Sequence, residues 1–189
     1  LGKADQSNYL GENISQHEHA LQSADVMIQK LKSRECADDF TILYNPELFE
    51  LVAAALFHDI GHLVAKTDAL QMGDYGIQNH ETIGAQFLRN YGFPERVTIP
   101  IKEHANIKRF LATRQPGYYT QLSPASKETL KYQGSLMSEE ECLEYVKTQE
   151  SLESIILVRE CDDLAKSPHA EPHPLHYYKH PLLVYLYNR

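Results

Sequence analysis

Six side chains able to bind a metal, His19, His58, Asp59, His80, His104 and Asp162, stand in stretches that otherwise read as apolar helices. Each occupies its own stretch except the adjacent pair His58-Asp59. Four imidazoles and two carboxylates are enough for two metal ions if one carboxylate is shared, and Asp59 is the best placed to bridge. A shell this rich in nitrogen suits iron, manganese or zinc better than magnesium, which prefers oxygen and water. Taken singly, each member has a plainer explanation. His19 could be a hydrogen-bonded core histidine, His80 a surface histidine after a capping residue, and Asp162 could give way to its neighbour Asp163. Five helices that each deliver an inward ligand are hard to obtain by accident.

Helical periodicity and punctuation supply the elements that must carry these residues. The apolar run Ala53-Ala54-Ala55-Leu56-Phe57 ends in His58-Asp59-Ile60-Gly61-His62, so the pair is expected at a buried helix end stopped by Gly61. Upstream, residues 11–32 read as a helix bearing His19, and residues 33–44 read as a loop or insertion. Asn45-Pro46-Glu47 is a helix start. Residues 64–78 read as a loop beside the site, and Asn79 caps a helix with His80 that closes at Gly92. Pro94 opens the next helix, with Pro100 expected to kink it before His104. Residues 113–122 read as a loop, Ser123-Pro124 starts a short helix to Gln133, and Ser138 to Glu141 is a capping box. The apolar stretch 152–158 leads to Asp162, and after a His-rich tail a last helix is expected over 181–187. Strand-like alternation is nowhere sustained, so the expected class is all-α, one domain over 1–189 with its core at about 9–166.

Composition narrows the function classes. The 189 residues carry a formal net charge of −8, which argues against nucleic acid or an anionic membrane as partner. No run of about 18 apolar residues exists to span a bilayer, and Leu1 to Asp5 holds no apolar leader. Three widely spaced cysteines without a CxxC pair imply neither disulfides nor a zinc knuckle. A cytoplasmic protein, monomeric or weakly self-associating, is expected. His17, His169, His173, His176 and His180 read as surface or tail histidines.

Two cations stand out against that negative balance. Lys108 lies one helical turn after His104, and Arg159 three residues before Asp162, so both face the ligand cluster. Ser126 and Gln133, seven apart, add neutral donors on one helix. Together they point to a bound phosphonate or phosphate; the plainer reading pairs the cations with Glu103 and Glu160 at the surface.

The pattern His19, His58-Asp59, Asp162 resembles the HD superfamily, an all-helical scaffold, and His80 and His104 match the two extra histidines of its dinuclear members. Three segments are similar to a narrower branch: Tyr9-Leu10-Gly11-Glu12 through His19, Leu122 to Ser126 with Gln133-Gly134, and Arg159 with Asp162-Asp163 and Lys166. That branch is the mixed-valent diiron oxygenases of organophosphonate catabolism, related to myo-inositol oxygenase. The likeness spans about 9–166, and departs at residues 34–44 and in the His-rich tail.

The resemblance implies an Fe(II)/Fe(III) pair that uses O2 to cleave the C–P bond of a 1-hydroxy-2-(amino or trimethylammonio)ethylphosphonate, giving phosphate and glycine or glycine betaine. One iron would be held by His19, His58 and Asp162, the other by His80 and His104, with Asp59 bridging. Lys108, Ser126, Gln133 and Arg159 would bind the phosphonate. Tyr9 and Glu12 would meet the substituent, where an ammonium needs a carboxylate or an aromatic face, and Tyr9 could cover an open iron position. His62 is placed to hydrogen-bond substrate or Glu12. The rival expectations are a dinuclear phosphohydrolase using manganese or zinc on a nucleotide or phosphate ester, and a non-catalytic binding module.

Overall fold

A computed structural model of the chain describes residues 13–188. Among them lie eleven helices and no strand, and an isolated bridge pairs Gln71 with Ile77. The four long ones that build the site are α1 (Gln16–Glu35), α3 (Pro46–Phe57), α6 (Glu95–Arg114) and α10 (Leu152–Leu164). α3 lies at the centre, packed on α1, α6 and α10. Val52, Ala53, Ala54 and Ala55 are all fully buried, so this turn of α3 is enclosed on every side. Three successive alanines let neighbouring backbones approach closely, which draws ligands from four helices into one volume.

Local signals explain most of the boundaries. Ser15 and Glu18 form a reciprocal capping box at the start of α1, one residue before His19. Asn45 caps α3 by accepting from Glu47 N and Leu48 N, with Pro46 in the first turn. The same logic opens α8 (Pro124–Tyr132) at Ser123 and α9 (Glu139–Thr148) at Ser138.

Elsewhere tertiary context decided. The stretch read as a loop at 33–44 contains α2 (Asp39–Tyr44), six residues capped by Asp38, with Ile42 and Leu43 buried on α3. Six residues are too few to show a stripe, so the docking contact makes the helix. α6 runs through Pro100 without interruption. Inside the loop read over 113–122 sits a single turn, α7 (Tyr118–Gln121). The last helix, α11 (Leu175–Tyr187), begins six residues before Pro181, and its Tyr178 and Tyr185 join the main core. A smaller core of Ile107, Leu111, Met137, Cys142 and Tyr145 lies between α6 and α9. No described helix is long and apolar enough to cross a membrane.

Candidate metal centre

The structure brings all six sequence-derived ligands together. His19 projects from the start of α1, His58 is the C-cap residue just after α3, and Asp59 follows it. His80 opens α5 (His80–Asn90), while His104 and Asp162 lie inside α6 and α10. His19 and His58 are both 0% exposed, and His80, His104 and Asp162 are also buried.

Hydrogen bonds set the tautomers. Each of the four rings points Nδ1 at a backbone carbonyl: His19 at Ala165 (2.7 Å), His58 at Ala55 (2.8 Å), His80 at Ile77 (3.1 Å) and His104 at Ile101 (2.7 Å). A carbonyl can only accept, so Nδ1 carries the hydrogen, and in the neutral ring the Nε2 lone pair faces inward. These bonds also offset the ~1–3 kcal/mol that each unpaired buried polar group would cost.

The inward atoms crowd one another. His19 Nε2 and His58 Nε2 lie 3.1 Å apart, and His80 Nε2 and His104 Nε2 3.2 Å apart. Two lone pairs at such distances repel unless a cation stands between them. Asp162 Oδ1 adds a buried oxygen without a hydrogen-bond partner, 3.4 Å from His19 Nε2. This donor set fits two metal ions. Asp59 divides its oxygens between the groups: Oδ2 lies 3.5 Å from His58 and 3.8 Å from His19, and Oδ1 lies 3.2 Å from His80 and 3.6 Å from His104.

The electrostatics tell the same story with a proton in place of a metal. Burial pushes the His58 pKa down, but the neighbouring Asp59 charge overcomes it and holds the value up at about 9. Burial likewise opposes charge on Asp59, yet the His58 charge keeps this carboxyl well below its usual range. The carboxylates demand positive charge from whatever occupies the cluster.

His62 also reaches the second group, with a ring nitrogen within 4.8 Å of ligand atoms of Asp59 and His80. Its chemistry differs. His62 Nδ1 accepts from the Ile77 backbone N–H at 3.1 Å, so the hydrogen of the neutral ring sits on Nε2. The ring stacks on His80 at 4.0 Å and 17°. Burial, and then the His80 charge, lower its pKa to about 3. His62 thus turns an N–H toward the cleft, whereas His104, with its hydrogen on Nδ1, turns its Nε2 lone pair inward.

Gly61, expected to stop the helix, does something else. The helix already breaks at His58, and Gly61 opens the short α4 (Gly61–Val64). A Cβ on Gly61 would stand 1.8 Å from the His80 carbonyl oxygen, so the glycine is there for close approach between the two ligand-bearing segments. Asn79, expected as a side-chain cap, makes no cap bond and holds φ 60° instead.

One wall of the cleft carries ammonium, hydroxyl and amide groups. Lys108 is only 3% exposed and donates to Thr129 Oγ1 at 2.9 Å. Lys166 donates to Ser126 Oγ at 3.0 Å, and Gln133 Oε1 is buried without a hydrogen-bond partner. Burial, together with the Arg159 charge, lowers the Lys108 pKa to about 7. Arg159 lines the cleft too, with Nε and Nη2 bound to Asp163 and Nη1 paired with Asp162, three of its five N–H groups. Met72 and Tyr75, from the loop after α4, also line the cleft. Thr129, Met72 and Tyr75 carried no signal in the sequence beyond their types. Lys166 had one, four residues after Asp162. Tyr9 and Glu12 lie outside the described residues.

The HD-domain family matches residues 15–166. The chain belongs to this family. At 35% identity over 158 residues, 84% of this chain and 72% of the relative, it is similar to the [1-hydroxy-2-(trimethylamino)ethyl]phosphonate dioxygenase (glycine-betaine-forming) of Leisingera caerulea. It is 32% identical over 167 residues to the hydroxymethylphosphonate dioxygenase of Gimesia maris, covering 84% of this chain and 71% of that one. An uncharacterized protein, L432 of Acanthamoeba polyphaga mimivirus, is 34% identical over 181 residues, 95% of this chain and 75% of its own.

Proposed function

We propose that this HD-domain protein is a diiron oxygenase that cleaves the C–P bond of a 1-hydroxy-2-(amino or trimethylammonio)ethylphosphonate with O2. The observation that carries the reading is the joining of two inward-facing imidazole pairs by Asp59, next to a wall of buried ammonium, hydroxyl and amide groups. Two relatives named as phosphonate dioxygenases support it.

His19, His58 and Asp162 would hold one iron, His80 and His104 the other, with Asp59 shared. An iron pair there supplies Lewis acidity and the electrons that activate O2. The protein's own residues do the rest. Lys108 and Lys166 neutralise the phosphonate charge, while Ser126, Thr129 and Gln133 fix its oxygens by neutral hydrogen bonds. His62, held as the Nε2–H tautomer by the Ile77 amide, offers a hydrogen bond without adding a charge. Burial of the cluster keeps water away from the reacting carbon. In sum, one O2 and one hydroxyphosphonate give one carboxylate, one phosphate and one proton.

The test is anaerobic reconstitution with iron, addition of the hydroxyphosphonate, and admission of O2, with phosphate release and O2 uptake measured together. Equal uptake and release is the expected result. Phosphate released without O2 would refute the oxygenase, and turnover of phosphate esters with manganese alone would establish the hydrolase. Primary-amine, trimethylammonio and unsubstituted phosphonates compared side by side identify the substituent.

A further inference from the structure

Beside Asp162 stands a second carboxylate that reaches no metal-ligand group. Asp163 Oδ2 accepts from Arg159 Nε at 3.0 Å and from the Tyr118 hydroxyl at 2.6 Å, and its Oδ1 pairs with Arg159 Nη2. The same guanidinium gives Nη1 to Asp162 Oδ2 at 2.7 Å. Arg159 lies three residues before one aspartate and four before the other, so both reach it from one helix face. It is 2% exposed. Burial raises the Tyr118 hydroxyl pKa above its usual value against the opposing Arg159 charge, so the hydroxyl stays a donor. Asp162 is thereby divided: Oδ2 is held by Arg159, and Oδ1 is buried without a hydrogen-bond partner, 3.4 Å from His19 Nε2 and 3.6 Å from Lys166 Nζ.

We propose that Tyr118 and Asp163 are positioning residues that act through Arg159 to keep Asp162 Oδ1 alone turned toward the His19 and His58 nitrogens. This rests on the metal-centre reading above. A guanidinium prefers to grip a carboxylate through two parallel bonds. Asp163 satisfies that preference, and so prevents Arg159 from taking both oxygens of Asp162. The two adjacent aspartates then have separate tasks, one as ligand and one as anchor. Arg159 is accordingly part of the ligand scaffold as well as a cation lining the cleft beside Lys108 and Lys166.

The test titrates Mn(II) alone into the full chain without O2, following free ion by electron paramagnetic resonance, for wild type, Tyr118→Phe and Asp163→Asn. Circular-dichroism melting of the metal-free proteins runs alongside. Asp163→Asn is expected to weaken one of the two sites by about 10–100-fold, the range for outer partners of metal ligands. The paired Mn(II) signal should give way to that of a single ion. Tyr118→Phe should weaken the same site by a few-fold, with its metal-free melting unchanged. Unaltered Mn(II) affinity in both variants would overturn the proposal and leave the dinuclear centre standing, whereas a wild type that binds no Mn(II) would overturn the centre itself. A loss in Asp163→Asn alone would remove Tyr118 from the assignment. If Asp163→Asn does not fold, Tyr118→Phe decides, and wild-type affinity there counts against the proposal.

Discussion

Replacing Gly61 by alanine tests whether the second half of the centre depends on backbone contact. The new Cβ would lie 1.8 Å from the His80 carbonyl oxygen. Carbon and carbonyl oxygen normally come no closer than about 3.3 Å, so the segments must separate by about 1.5 Å. The atom met is backbone, which no rotamer change can move aside. Gly84, across the same contact, has its own hypothetical Cβ 3.0 Å from Gly61 N, so α5 cannot slide closer to compensate. His80 Nε2 lies 3.2 Å from Asp59 Oδ1, and a shift of half that distance removes the ring from the shared carboxylate. Gly61 has no left-handed φ, and alanine favours a helix by up to about 1 kcal/mol. Propensity alone therefore predicts stabilisation. Overpacking costs about 1–3 kcal/mol, and misplacement by 1 Å costs about 100-fold in rate. The expected protein folds with reduced stability, loses one of its two metals and falls at least about 100-fold in turnover. Metal analysis, melting and phosphate release measure the three effects. Gly61→Ala with wild-type metal content and turnover would refute the contact argument.

Substitution of the two remaining histidines should separate ligand from donor. His104→Ala is expected to lose one metal, whereas His62→Ala keeps both and lowers kcat, as read by metal analysis and steady-state kinetics. Lys108→Met should retain both metals and raise KM for the phosphonate. Because burial and Arg159 depress the Lys108 pKa to about 7, the free enzyme loses this cation as pH rises through that value. Metal charge nearby shifts the loss lower still. Wild-type KM should climb by up to about tenfold per pH unit, the slope of one coupled proton, and the profile of Lys108→Met should be flatter. Asp25→Ala removes the acceptor shared by His173 N, His173 Nδ1 and the Tyr178 hydroxyl. Leaving a buried hydroxyl unpaired costs about 1–3 kcal/mol, seen as a melting drop of roughly 2–12 °C for a chain of this size.

Legibility differed between parts of the chain. The cap signatures at Asn45, Ser123 and Ser138 mark three helix starts, because a side chain bonding its own backbone is a local event, whereas the capping box at Ser15 starts α1 inside the stretch 11–32 read as one helix. α2 and the first half of α11 were hidden, since each is helical through burial on a partner rather than through periodicity of its own. In the site, Lys108 was visible one turn from His104. The division of Arg159 between two aspartates was not, because spacing shows that a guanidinium can reach a carboxylate but not how its N–H groups are shared among several.

By itself the sequence determined the ligand types, their places on separate helices and the all-α class, because these follow from residue chemistry and helical period. Only the tertiary structure decided how they meet. It turned every ligand Nδ1 to a carbonyl, assigned one Asp59 oxygen to each imidazole pair and made His62 a donor through the Ile77 amide. It also gave Gly61 its task as a contact, not a stop. Tautomer, bridging and close approach depend on which atoms the fold sets within about 3 Å of one another, and those neighbours are distant along the chain.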